Sequence, residues 1–133
     1  MKYLLDTHTL IWAVQDTKKL SKKAKDIIID ENNDIYVSTV SFWEIALKTS
    51  IKKFSFNNLD INDFPELSRK MGFKIIELGE QASITFHKLP RKAGHKDPFD
   101  RMLIWQAIVN NFAFISKDNS MEQYKENGLN LVW

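Results

Sequence analysis

Short β-rich apolar runs alternate with segments of helical period through the sequence, and this alternation restricts the fold more than any single residue does. The runs are Tyr3-Leu4-Leu5, Ile35-Tyr36-Val37, Phe73 to Leu78, Phe112 to Ile115 and Leu129 to Trp133. Between them, Leu20, Ala24, Ile27 and Ile28 have helical spacing from Ser21, closed by Asn32-Asn33. Phe42, Ile45 and Ala46 share one face of a second helix. Phe64, Leu67, Ser68 and Met71 form a third stripe, stopped by Gly72. Helices are also expected over Glu80 to His87, from Asp97-Pro98 onward, and over Asn119 to Glu126, ending near Gly128. Strands separated by helices require right-handed crossovers, so the expected class is α/β: a mainly parallel sheet with helices on both faces.

At 133 residues the chain suits one domain with one core, residues 1–133. Its longest apolar run, such as Met102-Leu103-Ile104-Trp105, is far too short to span a membrane. Asp6 interrupts the N-terminus before an apolar signal segment can develop. With no cysteine, disulfides, thiolate zinc sites and cysteine nucleophiles are excluded, which suits a reducing cytoplasm. His8, His87 and His95 lack zinc-motif spacing.

The net charge is +2, yet the basic residues are grouped. Lys18, Lys19, Lys22, Lys23 and Lys25 crowd one stretch, and Lys88, Arg91, Lys92 and Lys96 another. Such groups fit either a solvated surface or a grip on a polyanion. The four tryptophans, Trp12, Trp43, Trp105 and Trp133, read as core or interface residues.

Parallel sheets gather ligands at the carboxyl ends of their strands. Asp6 follows the first strand, Glu44 opens the helix after the second, Asp97 and Asp100 open the helix after the basic loop, and Asp118 follows the strand ending at Ile115. Each has an ordinary structural explanation. Asp6, Asp97 and Asp118 suit helix N-caps, and Asp100 suits a first helical turn. Ser41-Phe42-Trp43-Glu44 matches a capping box, and Glu44 with Lys48 forms an i,i+4 pair. Capping does not require four separate segments to deliver acids to one edge. Carboxylates so gathered repel one another and invite a hard divalent cation. His95, in the loop Leu89 to Lys96, suits a phosphate contact, ligand positioning or plain exposure, and Ser116 a hydrogen bond to water or phosphate.

Leu4-Leu5-Asp6-Thr7-His8, Ser41-Phe42-Trp43-Glu44-Ile45-Ala46-Leu47-Lys48, His95-Lys96-Asp97-Pro98-Phe99-Asp100-Arg101 and Ile115-Ser116-Lys117-Asp118 resemble the sequence blocks of PIN-domain proteins. Within that family they are most similar to the VapC-type toxins of bacterial toxin–antitoxin pairs. The resemblance covers nearly the whole chain. It implies a PIN fold with a parallel sheet of four or five strands, and an endoribonuclease dependent on Mg²⁺ or Mn²⁺. It further implies catalytic, metal-holding roles for Asp6, Glu44, Asp100 and Asp118, with Asp97 as a subgroup ligand. Lys48, Ser116 and His95 become substrate-positioning neighbours, Ser116 standing where threonine is common. An RNA substrate, a cognate antitoxin and a homodimer are the implied partners. Trp105 departs from a commonly small helix position.

Three other readings use similar residues. A receiver domain wants paired acids after the first strand and an Asp after the third, whereas Asp6-Thr7 and Leu78-Gly79-Glu80 occupy those places. A haloacid-dehalogenase-type phosphatase wants Asp-x-Asp at the first strand, and Asp6-Thr7-His8 fails that pattern. A binding or structural module, or a PIN fold without nuclease activity, would use the acids only to cap helices or bind metal.

Overall fold

The computed structural model describes residues 1–133. Five strands form one sheet: β1 (Lys2–Leu5), β2 (Asp34–Ser38), β3 (Lys74–Ile76), β4 (Ala113–Ile115) and β5 (Asn130–Val132). Their spatial order is β3-β2-β1-β4-β5, and every neighbouring pair is parallel. The six α-helices are α1 (Thr7–Gln15), α2 (Lys22–Ile29), α3 (Thr39–Ser50), α4 (Phe64–Lys70), α5 (Glu80–Thr85) and α6 (Pro98–Asn110). The expected α/β class and parallel sheet are thus present, with five strands. A receiver-type sheet runs in the order 2-1-3-4-5, which this sheet does not follow.

Side chains alternate across the central strands and make two cores. Tyr3, Leu5, Ile35, Val37, Ala113 and Ile115 join Leu10, Ala24, Ile45 and Phe64 on one side. Leu4 and Phe114 join Leu103, Ile104, Ala107, Met121 and Tyr124 on the other. The sheet is covered on both faces, so the strands are short and almost wholly apolar. Burying each large side chain contributes about 1.5–3 kcal/mol of transfer free energy.

The helix starts aim polar residues at one edge. Asp97 Oδ1 accepts from Phe99 N at 2.8 Å and from Asp100 N at 3.2 Å, and Pro98 occupies the first helical position of α6. The capping box expected at Ser41–Glu44 is not formed. Instead α3 begins earlier, with Ser38 Oγ accepting from Val40 N at 3.0 Å. Ser38 therefore satisfies the helix terminus, and Glu44 lies beyond the first turn, free to face the sheet edge.

Two further expectations change. Residues Asn119–Asn127 wind as a 3₁₀ helix, not an α-helix, before Gly128 at φ +102°. Their buried residues Met121 and Tyr124 are three apart, the 3₁₀ repeat. Trp43 is 60% exposed, which excludes the core and leaves the interface of the two places expected for the tryptophans. The chain switches direction across the sheet between β1 and β4, and the crevice there opens at the strands' carboxyl ends.

Candidate metal centre

Asp6 and Ser116 stand at that switch point, where β1 and β4 end side by side. Asp6 N donates to Ile115 O at 3.1 Å, extending the β1–β4 ladder by one residue. The Asp6 side chain is nearly buried. Its Oδ1 accepts from Thr9 N at 2.7 Å, capping α1, while Oδ2 accepts from the Ser116 hydroxyl. Capping and edge placement thus coincide in one carboxylate. Burial pushes its pKa above the ordinary value, and the Ser116 and Thr9 hydrogen bonds pull against that rise. Ser116 Oγ also accepts from Asp118 N at 3.1 Å, fixing the turn that carries Asp118.

Glu44 is 1% exposed on α3. Thr7 donates its hydroxyl hydrogen to Glu44 Oε1 at 2.6 Å, and the Lys48 ammonium donates to Oε2. The same ammonium lies 3.5 Å from Asp97 Oδ2, so Lys48 bridges α3 and the start of α6. Burial would lower the Lys48 pKa, but hydrogen bonds and charge from Glu44, and the charge of Asp97, hold it above its ordinary value.

Asp100, one turn into α6, is the focus of the cluster. Burial raises its pKa, and the charges of Asp97, Glu44 and Asp6 raise it further, to about 7, with Lys48 opposing. Oxygen atoms of Glu44, Asp97 and Asp100 all lie within 4.8 Å of one another. On the other flank, ligand-capable atoms of His95, Asp100 and Asp118 meet the same limit. Burial lowers the His95 pKa, against the charges of Asp118 and Asp97.

Every acid singled out from the sequence therefore reaches one region. Asp100 belongs to both groupings. Asp6 belongs to neither, yet its charge is felt at Asp100. The donor set consists of carboxylate oxygens with one imidazole at its border, the chemistry that hard divalent cations prefer. Asp100 fits the same conclusion, because the neighbouring acids leave it with more negative charge than Lys48 offsets.

Thr7 and Tyr124 support the centre without having been singled out. Thr7 sits inside the Asp6-Thr7-His8 block, directly after the strand-end acid, and that adjacency was the available signal. Tyr124 offered none, being an inward aromatic of the last helical segment. Its hydroxyl lies 2.8 Å from His95 Nδ1.

The family model for the PIN domain matches residues 3–127. Solved structures similar to this chain include VapBC2 from Rickettsia felis bound to a promoter DNA fragment, with a TM-score of 0.69 and 16% identity over 99% of this chain and 98% of that one. DNA-bound VapBC from Salmonella typhimurium is similar with a TM-score of 0.64 and 16% identity, covering 99% and 97% of the two chains. FitAcB from Neisseria gonorrhoeae gives 0.64 and 14% identity, covering 98% and 96%. The sequence matches no curated protein. The family match spans nearly the whole chain and includes every acid of the edge, and β5 lies just beyond it. The chain belongs to the PIN-domain family.

Proposed function

We propose that residues 1–133 act as one PIN domain of the VapC type: a Mg²⁺- or Mn²⁺-dependent endoribonuclease, toxin of a toxin–antitoxin pair, acting in the cytoplasm. The observation that carries this reading is the meeting of Glu44, Asp97, Asp100 and Asp118, with Asp6 beside them, at the sheet's switch point. Asp100, Glu44 and Asp6 are the main metal-holding groups, with Asp118 and Asp97 at the margins. A bound divalent cation would supply a water of lowered pKa and neutralise charge on the leaving oxygen.

The protein's own residues set the geometry. Asp6 is clamped by Thr9 N and Ser116, and Glu44 by Thr7, so both carboxylates are held in fixed orientations at the edge. Lys48 neutralises part of the acid charge and draws α3 to α6. Hydrolysis by an activated water uses no 2′-hydroxyl nucleophile, and the expected products end in a 5′-phosphate and a 3′-hydroxyl. RNA as substrate follows from the family resemblance, as do a cognate antitoxin and a homodimer. Solved neighbours carry the VapBC name, which agrees with the VapC-type resemblance and supports the pairing. No helix is long and apolar enough to cross a membrane.

The test is cleavage of defined transcripts with Mg²⁺, with Mn²⁺ and with EDTA. Asp6→Asn and Asp100→Asn should abolish metal-dependent cleavage while leaving the circular dichroism spectrum unchanged. EDTA-resistant cleavage, or full activity in both variants, would remove this reading. Co-purification with the product of the adjacent reading frame checks the antitoxin.

A second reading draws on Lys48, whose ammonium already serves Glu44 and Asp97. A PIN-fold binding module without nuclease activity could satisfy its acids in this way. Cleavage separates the nuclease from a metal-binding module, and calorimetric titration with Mn²⁺ separates both from a module whose acids only cap helices and pair with Lys48, which would show no site.

A further inference from the structure

A second concavity abuts the acidic centre and shares His95 with it. It encloses about 380 Å³, and its walls are Arg91, Lys92, His95, Lys96 and Arg101, with no apolar side chain among them. A tight turn builds it. His95 N donates to Lys92 O at 3.2 Å, and Gly94 has φ +74°, the left-handed value a type II turn demands at its third position. Arg101, from the first turn of α6, donates through Nη2 to Leu89 O at 2.9 Å and Pro90 O at 3.3 Å, tying down the entry to this loop. Arg101 Nε is buried and unpartnered.

His95 lies at the junction, 6% exposed. Its Nδ1 is 2.8 Å from the hydroxyl of the fully buried Tyr124, which has no other partner. If Nδ1 carried the proton, the hydroxyl hydrogen would have no acceptor. The opposite tautomer turns an N–H toward the Asp100 carboxylate, so Tyr124 donates to Nδ1 and the neutral ring carries its proton on Nε2. Nε2 is buried and unpartnered, 4.0 Å from Asp100 Oδ2. An N–H cannot ligate a metal, but it can donate to an anion. His95 thus forms the wall between the two sites: the ring lines the basic concavity, and its Nε2–H faces Asp100 of the acidic one.

We propose that this concavity seats an internal phosphodiester of the single-stranded RNA chain, adjacent to the diester held at the acidic centre. Arg91 and Lys96 supply charge at its exposed rim, and Arg101, held by Leu89 O and Pro90 O, adds a fixed positive charge to its wall. A polynucleotide is favoured over an acidic peptide because the walls carry no apolar pocket for an anchoring side chain. The seat rests on the nuclease reading for its purpose, but binding to it does not require cleavage.

The test measures fluorescence anisotropy of a short labelled single-stranded RNA with a 5′-hydroxyl, in EDTA, across a salt series. Arg91→Gln combined with Lys96→Gln should weaken binding about tenfold and make the log–log salt slope shallower by about 0.7, the value for each phosphate of a single strand that is no longer neutralised. Lys18→Gln with Lys19→Gln removes equal charge from an exposed stretch elsewhere and should leave the slope unchanged. Equal weakening in both pairs, or none in the first, overturns the seat. Weakening confined to RNA bearing a 5′-phosphate overturns its assignment to an internal diester, and competition by an acidic peptide but not by RNA overturns the polynucleotide. Nitrogen-15 spectra of His95 should show the proton on Nε2, and a proton on Nδ1 would contradict the hydrogen-bond assignment. Because cleavage is switched off, a protein that binds in this way yet cuts nothing keeps the seat and loses the nuclease.

Discussion

Thr7 donates its hydroxyl hydrogen to Glu44 Oε1 at 2.6 Å, joining the start of α1 to the middle of α3 across 37 residues of sequence. Thr7 has one hydrogen to give, so its 3.0 Å approach to Ser41 Oγ requires Ser41 to donate in turn. All three side chains are buried. Thr7→Val keeps the shape and removes the donor. The expected result is a loss of about 1–3 kcal/mol in folding stability, measured by urea unfolding, because Glu44 loses a buried hydrogen bond. Mn²⁺ affinity should fall by about 10–100-fold, the usual effect of removing a group that orients a ligand. Unchanged calorimetric affinity would show that Glu44 does not depend on Thr7 for its position.

Asp100 should destabilise the metal-free protein in a pH-dependent way. An unfolded aspartate titrates near about 4, and the folded carboxyl titrates at about 7. Because the folded value is the higher one, the associated stability is fully present below the unfolded pKa and is lost as pH rises through about 7. Asp100→Asn removes this dependence. At about pH 8 the variant should be more stable than the parent by roughly 1–3 kcal/mol without metal, and the difference should shrink near about pH 4. Saturating Mn²⁺ should reverse the order, since only the parent gains binding free energy. Matched unfolding curves at both pH values settle the sign.

The same group ties cation binding to proton release. A carboxyl that titrates at about 7 must lose its proton to ligate. Mn²⁺ affinity should therefore rise about tenfold per pH unit below about 7 and level off above it. Titrations in buffers of different ionisation enthalpy should show roughly one proton released per ion at about pH 6. An affinity independent of pH from about 5.5 to 8 would exclude Asp100 from the ligand set.

The sheet was legible because its strands are buried on both faces. Tyr3-Leu4-Leu5 and Phe112 to Ile115 read as continuous apolar runs, and helices between them left parallel pairing as the economical arrangement. The acids were legible through position, since Asp6, Asp97 and Asp118 cap the segments they precede and so announce where those segments begin. Local pattern failed where tertiary packing decided. The Ser41–Glu44 capping box yielded to Ser38, whose better place at the end of β2 depends on the sheet. The final 3₁₀ segment follows the spacing of Met121 and Tyr124 against α6, where distant parts of the chain meet. The Tyr124–His95 hydrogen bond was likewise hidden, because a buried phenol looks like any core aromatic until its hydroxyl partner is known.

Lys48 offers the sharpest discrimination between an active metal centre and a self-neutralised one. Its ammonium serves Glu44, which is almost wholly buried, and Asp97, which is about one-third exposed. Lys48→Met preserves the stem and removes the charge, leaving Thr7 as the one remaining hydrogen-bond partner of Glu44. Breaking a buried pair by removing one partner typically costs about 3–5 kcal/mol. Because Lys48 is itself partly exposed, a metal-free loss of about 1–3 kcal/mol is expected. If the acids form a cation site, Mn²⁺ replaces the missing positive charge. The variant should then bind the ion at least as tightly as the parent and recover most of its stability. If the ammonium is the permanent counter-charge, Mn²⁺ will restore nothing, and thermal melts of the variant with and without the ion will superimpose.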